Sequence, residues 1–296
     1  MRFGIVLPIW QLSLAEATTL ALKAEELGFD GVFVPDHILA KPATTQHYGP
    51  SWPDPFALLA YFAGRTQRLQ VGTSVVVLPY RHPLVTAKAA ATVDQVSGGR
   101  FVFGVGVGWD AEEFQDLGLP FAERGAMTDE YLRIIKSAWS HDTPHFEGRY
   151  FRFGGATFAP RPQQQPAPPI WVGGAPGTLS SPALRRAATL GDAWHPLGLS
   201  LDDLERGAAR LAELARQAGR AGAVGLAPRH LLQFTPAPQG SGRAAFAGTA
   251  EEVAADVRRV AALGADYLTF DLPRTGVADM VQTMERFVRD VKPALD

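Results

Sequence analysis

The sequence predicts an α/β protein folded as a (β/α)8 TIM barrel, one domain over residues 1–296 with an insertion before the fifth strand. Three observations lead there. Short apolar, β-prone runs alternate with amphipathic stretches of helical period, and eight such pairs can be counted. One helix-to-strand turn occurs three times. Leu27-Gly28-Phe29-Asp30, Leu190-Gly191-Asp192 and Leu263-Gly264-Ala265-Asp266 each read as a helix end, a glycine stop and an acidic residue opening an apolar strand. An open doubly wound sheet is the competing arrangement, but the G-x-G-x-x-G opening that usually follows its first strand is absent.

The elements follow in order. Arg2 to Pro8 is a first strand. Ser13-Leu14-Ala15-Glu16 is a capping box opening a helix that Gly28 stops. Phe29 to Pro35 is the second strand and runs into Asp36-His37. Residues 38–55 form a long loop, and Asp54 caps a helix that has Pro55 at its first position. Leu69 to Leu78 is a third, valine-rich strand, followed by a helix to about Val96. Arg100 to Val105 is the fourth strand, and Glu123 to Trp139 a long amphipathic helix. Residues 141–169 carry the insertion. A hairpin is expected over Phe146-Glu147-Gly148-Arg149-Tyr150-Phe151, then a proline- and glutamine-rich crossing loop. This segment is too short and too poor in apolar residues for a core of its own. Ile170 to Val172, Asp192 to Trp194, His230 to Thr235 and Tyr267 to Phe270 complete the strands. Pro236 to Ala247 reads as a mobile loop, and Thr249-Ala250-Glu251-Glu252 is a second capping box.

Composition narrows the function classes. An apolar content of 46% supports a sizeable core, and a barrel of this length commonly forms one domain. A net charge of −2 favours neither nucleic acid nor an anionic membrane. No apolar run reaches spanning length, and no basic region followed by an apolar block opens the chain, so a cytoplasmic protein is expected. The absence of cysteine excludes disulfides, thiolate metal sites and cysteine nucleophiles.

In such a barrel the chemistry sits at the C-terminal ends of the strands. Asp36, His37, Ser74, Tyr80 to His82, Gly106, Gly108, Trp109, Gly173, Gly174, His195 and Asp271 stand there. No set has metal-ligand spacing, so no metal site is assigned, and no G-x-S-x-G elbow appears. Glycines, aromatics and histidines suit a flat cofactor that carries the chemistry itself. Each feature also has a plainer reading. Asp36 can cap a turn, His37 can be a satisfied core residue, and Gly173-Gly174-Ala175-Pro176-Gly177-Thr178 can be an ordinary tight loop rather than a phosphate cradle. The glycine-rich strand ending Gly104-Val105-Gly106-Val107-Gly108-Trp109 fits close packing as well as a ligand.

Several stretches together resemble the bacterial luciferase-like monooxygenase superfamily. They are Leu27 through His37, Gly72-Thr73-Ser74-Val75-Val76, Ser97 through Trp109, Phe146 through Phe151, and Pro169-Ile170-Trp171-Val172-Gly173-Gly174. Asp36-His37 and Gly106-Val107-Gly108-Trp109 look more like its deazaflavin-dependent branch. The resemblance implies an oxidoreductase that passes a hydride between coenzyme F-420 and a small organic substrate. FMN with oxygen, as in a two-component monooxygenase fed by a separate reductase, is the alternative. A non-catalytic flavin-binding relative and an unrelated metal-dependent lyase or hydrolase are further readings. By the same resemblance Asp36 and His37 border the ring, and Ser74-Val75 backs it through a bulge, often with a cis peptide. Gly106, Val107 and Gly108 line the ring and tail, and Gly173, Gly174 and Thr178 hold the phosphate. His37 or His195, with Asp36, would serve catalysis, and a homodimer is typical of the family. Trp52, Tyr48 and Trp109 suggest an aromatic, apolar pocket, with packing or dimer contacts as the plainer reading.

Overall fold

The computed structural model describes residues 1–175, 177–240 and 242–295; Pro176, Ser241, Asp296 and the side chain of His47 lie outside the described residues. The chain runs β1 (Arg2–Val6), α1 (Leu14–Glu26), β2 (Gly31–Val34), α2 (Pro42–His47), α3 (Pro55–Arg65), β3 (Gln70–Thr73), β4 (Val76–Val77) and α4 (Pro83–Val96). Next come β5 (Phe101–Gly106), α5 (Ala111–Asp116), α6 (Arg124–Ser140) and a hairpin of β6 (Phe146–Glu147) with β7 (Arg152–Phe153). Then follow β8 (Ile170–Gly173), α7 (Ser181–Leu190), β9 (Ala193–His195), α8 (Leu201–Gln217), β10 (Gly225–Leu226), β11 (Arg229–Leu231), β12 (Gln233–Phe234) and β13 (Ala247–Gly248). The chain closes with α9 (Ala250–Ala262), β14 (Tyr267–Asp271) and α10 (Val277–Arg286). No helix among the described residues is long and apolar enough to cross a membrane. Two compact units result, one of Met1–Pro8, Leu12–Phe33 and Trp171–Asp296, the other of Ile9–Gln11 and Val34–Ile170.

In the first unit every pairing among these strands is parallel: β1 lies between β2 and β14, β11 pairs with β14, and β9 lies between β8 and β10. The repeated turn explains part of this. Asp30 accepts the Phe3 N–H on its side chain at 2.7 Å, clamping the starts of β1 and β2 together. The Asp266 and Asp192 carbonyls accept from Arg2 and Gly225. Gly28 and Gly264 take φ values of +75° and +80°, the left-handed geometry a glycine reaches at little cost. Both capping boxes form, Ser13 with Glu16 and Thr249 with Glu252.

In the expected mobile loop over 236–247, of which Ser241 lies outside the described residues, the described residues on both sides are anchored to α9. Arg243 makes a bidentate pair with Asp256 of α9 at 2.6 and 2.7 Å, and Asp256 also accepts the Phe246 N–H. Phe246 is fully buried, and Glu252 accepts from Gln239 and Gly240. The seventh strand is also interrupted, with Leu232 donating to the Asp271 carbonyl between β11 and β12.

In the second unit β3 and β4 both pair with β5, Val71 opposite Phe101 and Val76 opposite Val105. The continuous third strand expected from the valine run is broken. It stops at Thr73, the Ser74–Val75 peptide is cis, and a 3-10 turn over Leu78–Tyr80 follows β4. The long loop after β2 contains the short α2, and Asp54 caps α3 through the Phe56 and Ala57 amides. Asp94 accepts from the Gln163 and Gln164 amides, and Glu130 accepts from three consecutive amides, Arg149 to Phe151. The insertion is held through buried carboxylates on α4 and α6.

Candidate active site

The second unit gathers most of the predicted residues around His37, just past the end of β2. Its Nδ1 lies 2.7 Å from a Glu113 carboxylate oxygen, so Nδ1 carries the proton and donates. Glu113 is fully buried and accepts three more hydrogen bonds, from the Ile38 amide at 2.6 Å, the Leu39 amide at 2.9 Å and the Tyr80 hydroxyl at 2.6 Å. Burial pushes the Glu113 carboxyl up, but these donors, His37 foremost, hold it below the ordinary carboxylate value. Burial, reinforced by Glu113, drives the Tyr80 hydroxyl far above its ordinary value, so it stays a donor. Local chemistry sets Glu113 in place. Asp110 caps α5 through the Glu112 and Glu113 amides and accepts the Thr44 hydroxyl at 2.8 Å.

Aromatic rings surround the His37 imidazole. Ring centroids lie at 4.7 Å for Trp52, 5.6 Å for Trp109 and 6.5 Å for Tyr48, and Trp10 packs on both Trp52 and Tyr48 at 5.2 and 4.9 Å. Trp109 is 45% exposed, so this lining opens on its side to solvent.

Asp36 is buried beside His37 and spent on structure. One oxygen accepts from Arg81 at 2.6 Å and from the Val77 amide at 3.0 Å; the other takes the second Arg81 nitrogen at 2.8 Å. Arg81 also reaches Asp54 at 3.2 Å. Burial raises the Asp36 carboxyl above its usual range, against the downward pull of Arg81.

The glycines of β5 have a packing reason. A Cβ on Gly104 would run into the Thr73 carbonyl, and one on Gly106 would come within 2.6 Å of the Val75 side chain. Only glycine lets β5 lie against the break at Ser74–Val75. Ser74 and Gly106 are buried, while Val75, Val107 and Gly108 are partly exposed, and Gly108 has φ +80°.

The first unit holds the remaining predicted residues. His195 ends β9 in register with Gly173 at the end of β8. Its Nδ1 donates to the Ala227 carbonyl, and burial holds its pKa down at about 4, so the ring is neutral at neutral pH. Trp171 packs against it at a tilt, with centroids 5.2 Å apart. Arg229 and Asp271 form a bidentate pair at 2.9 and 2.7 Å. Gly174 differs from the β5 glycines, since a Cβ there would meet Trp194 and Ala183 only at ordinary contact, 3.9 and 4.0 Å. Gly177 (φ +61°) donates to the Leu197 carbonyl, Thr178 is exposed, and Ser180 caps α7. Pro176 of this loop lies outside the described residues.

Glu113 and Arg81 are the functional-site residues that sequence reasoning passed over as partners. The Asp110-x-x-Glu113 spacing directly after a glycine-ended strand is a helix-start signal that could have pointed to the first.

The site is one of parallel βα repeats with a histidine hydrogen-bonded to a buried carboxylate just beyond a strand end, where α/β barrels place their chemistry. The chain belongs to the luciferase-like monooxygenase family, whose sequence model matches residues 1–245, and it is an oxidoreductase. It is 37% identical over 192 residues to an F420-dependent glucose-6-phosphate dehydrogenase of Nakamurella multipartita, covering 64% of this chain and 53% of that protein. The chain spans about half the length of the dehydrogenase relatives it matches, 53% and 46%. An uncharacterised protein of Mycobacterium tuberculosis is 30% identical over 286 residues, 88% of this chain and 98% of the relative. Among solved structures, an F420-dependent secondary alcohol dehydrogenase in complex with an F420-acetone adduct shares the fold at TM-score 0.80 and 20% identity, over 100% of this chain and 99% of that one. The oxygenating constituent of 3,6-diketocamphane monooxygenase from Pseudomonas putida, in complex with FMN, does so at TM-score 0.79 and 19% identity, over 99% and 98%. The luciferase-like fold expected from the sequence is the fold these structures share with it.

Proposed function

We propose that this protein is a coenzyme F-420-dependent oxidoreductase acting on a small organic molecule, and that His37 moves the proton. The observation that carries the reading is the His37–Glu113 pair, an imidazole whose tautomer is set by a buried carboxylate beside an aromatic lining. F420-dependent relatives and a structural neighbour named for that cofactor support it.

When bound, a deazaflavin supplies a two-electron hydride acceptor or donor, and the matching proton is left to the protein. His37 is suited to that proton. With Nδ1–H engaged by Glu113, Nε2 carries the lone pair that takes a proton from a substrate hydroxyl, and its conjugate acid returns one to a carbonyl in reverse. Glu113 stabilises the imidazolium formed in between. Asp36, next to the histidine in sequence, holds Arg81 and the Val77 amide at the end of β4. Ser74, Val75, Gly106, Val107 and Gly108 would lie along the ring, and Gly173, Gly174 and Thr178 near the phosphate. The fit is favourable at Gly174, where nothing in the packing requires the missing side chain, so its smallness leaves room for a ligand group. His195, neutral and fixed through Ala227, would serve as an acceptor at Nε2 rather than as a proton carrier.

FMN is the second reading, favoured by the FMN-bound neighbour of the same fold. Titration calorimetry with F-420 and with FMN under equal conditions decides between them. Tighter binding of F-420 is expected, with His37→Asn retaining that binding and losing at least about a hundredfold in turnover. Tighter binding of FMN overturns the proposal.

A further inference from the structure

The segment after β2 and the helix α5 are fastened to each other at two buried points. At one, His37 and the Ile38 and Leu39 amides all donate to Glu113. At the other, the Thr44 hydroxyl donates to Asp110 at 2.8 Å. Lys41 also pairs with Asp116, but that ion pair is partly exposed and contributes little. Thr44 is the less expected of the two fastenings. Both α2 and α5 are six residues long, too short to persist on their own. Lys41 gives α2 no side-chain cap, and of the described side chains of α2 only Thr44 is buried. Thr44 is fully buried, so its hydroxyl has no water to turn to, and the buried Asp110 accepts it. The other Asp110 oxygen accepts the Glu112 and Glu113 amides at 3.1 and 3.3 Å and so starts α5. Phe114, buried with its ring 5.0 Å from that of Tyr80, seats the helix, and Asp110 orders the first turn, where Glu113 stands.

We propose that Thr44 is a positioning residue for His37, acting through Asp110 and Glu113. The four residues form a circuit that leaves the segment after β2 at Thr44 and returns to it at His37. With Thr44 in place, Asp110 is held, the first turn of α5 is ordered and Glu113 is aimed at Nδ1. Without the Thr44 hydroxyl both fastenings loosen together, because Glu113 also accepts the two amides that follow His37. Orientation of the imidazole and seating of α2 are therefore one event. Its meaning for catalysis rests on the proposed role of His37, whereas the positioning can be read without a cofactor.

Proton NMR of the cofactor-free protein reads the His37 Nδ1–H resonance, assigned by its absence from His37→Asn. A proton donated to a buried carboxylate exchanges slowly with water. Thr44→Val, isosteric but without the donor, should speed that exchange at least about tenfold in protein that circular dichroism shows to be folded. Thr44→Ser should restore it to within about twofold of the wild type. Thr44→Cys, a weaker donor of similar size, should give an intermediate rate and stands in if the valine variant does not fold. Thr128→Val removes a buried hydroxyl that donates to Arg124 of its own helix, and should leave the resonance unchanged. With F-420 bound, Thr44→Val should lower turnover about tenfold while coenzyme affinity stays within about twofold. Wild-type exchange in the valine and cysteine variants, the same acceleration in Thr128→Val, or no rescue by serine overturns the inference. Faster exchange with unchanged turnover, or tighter binding of FMN than of F-420, counts against the proposed reaction and leaves the positioning standing.

Discussion

Glu113 receives four donors at once, two amides, a phenol and an imidazole, and no water-exposed residue could hold that geometry. Its negative charge is what makes the arrangement work, since an amide in its place presents one acceptor oxygen and two unwanted donors. Glu113→Gln should therefore destabilise the protein by about 2–3 kcal/mol, the cost of leaving buried donors without a charged acceptor. Urea unfolding measures this, and a loss below about 0.5 kcal/mol would contradict the network. In the proposed reaction the same change should lower turnover at least tenfold while F-420 affinity stays within about twofold, because the carboxylate acts through His37. Asp36 and His37 were visible in the sequence as polar residues at the end of a strand. Their separation into a carboxylate held in an ion pair and an imidazole oriented by a buried carboxylate was not, because it depends on Arg81 and Glu113, which lie 45 and 76 positions further along the chain.

At the scale of elements, the glycines of β5 show how one motif divides by environment. Gly104 and Gly106 face the break between β3 and β4, whereas a side chain at Gly174, beyond β8, would meet only ordinary contacts. Gly104→Ala should cost about 3 kcal/mol, since a backbone carbonyl must move to admit the new carbon. Gly174→Ala should change stability by less than about 0.5 kcal/mol and weaken F-420 binding. Thermal unfolding and cofactor titration on the two variants read the contrast; equal destabilisation would remove the distinction between packing glycine and ligand glycine. The helices were more legible than the strands. Ser13 with Glu16 and Thr249 with Glu252 are local, three-residue devices, and both form as the sequence implies. The third strand was misjudged as continuous because its valines satisfy a strand pattern on both sides of Ser74–Val75. The loop over residues 236–247 looked mobile for its Pro, Gly and Ser, but Arg243 and Phe246 anchor it on α9.

At the scale of the whole molecule, two buried histidines make stability depend on pH. His195 and His230 are both held at about 4, chiefly by burial, against about 6.5 in the unfolded chain. Between those values the unfolded chain binds protons that the native protein does not, so stability falls as pH falls from about 6.5 to about 4 and levels off below. Each histidine contributes on the order of 3 kcal/mol to that slope. His230→Gln should remove its share, so the wild-type and variant unfolding free energies should converge as pH drops from 7 to 4.5. A constant difference across that range would show that His230 is not buried in its neutral form.

From sequence alone came the order of βα repeats, the helix starts and stops, the luciferase-like resemblance and the placing of His37, Asp36 and His195 at strand ends. The resemblance rests on matching motifs; the rest follows from short-range physics, the period of apolar residues, caps within four positions and glycine at positive φ. Tertiary structure decided which groups pair, which glycines are demanded by packing, and which histidines are neutral. Those depend on atoms far apart in the chain and on burial, and burial is set only once the strands and their loops have packed.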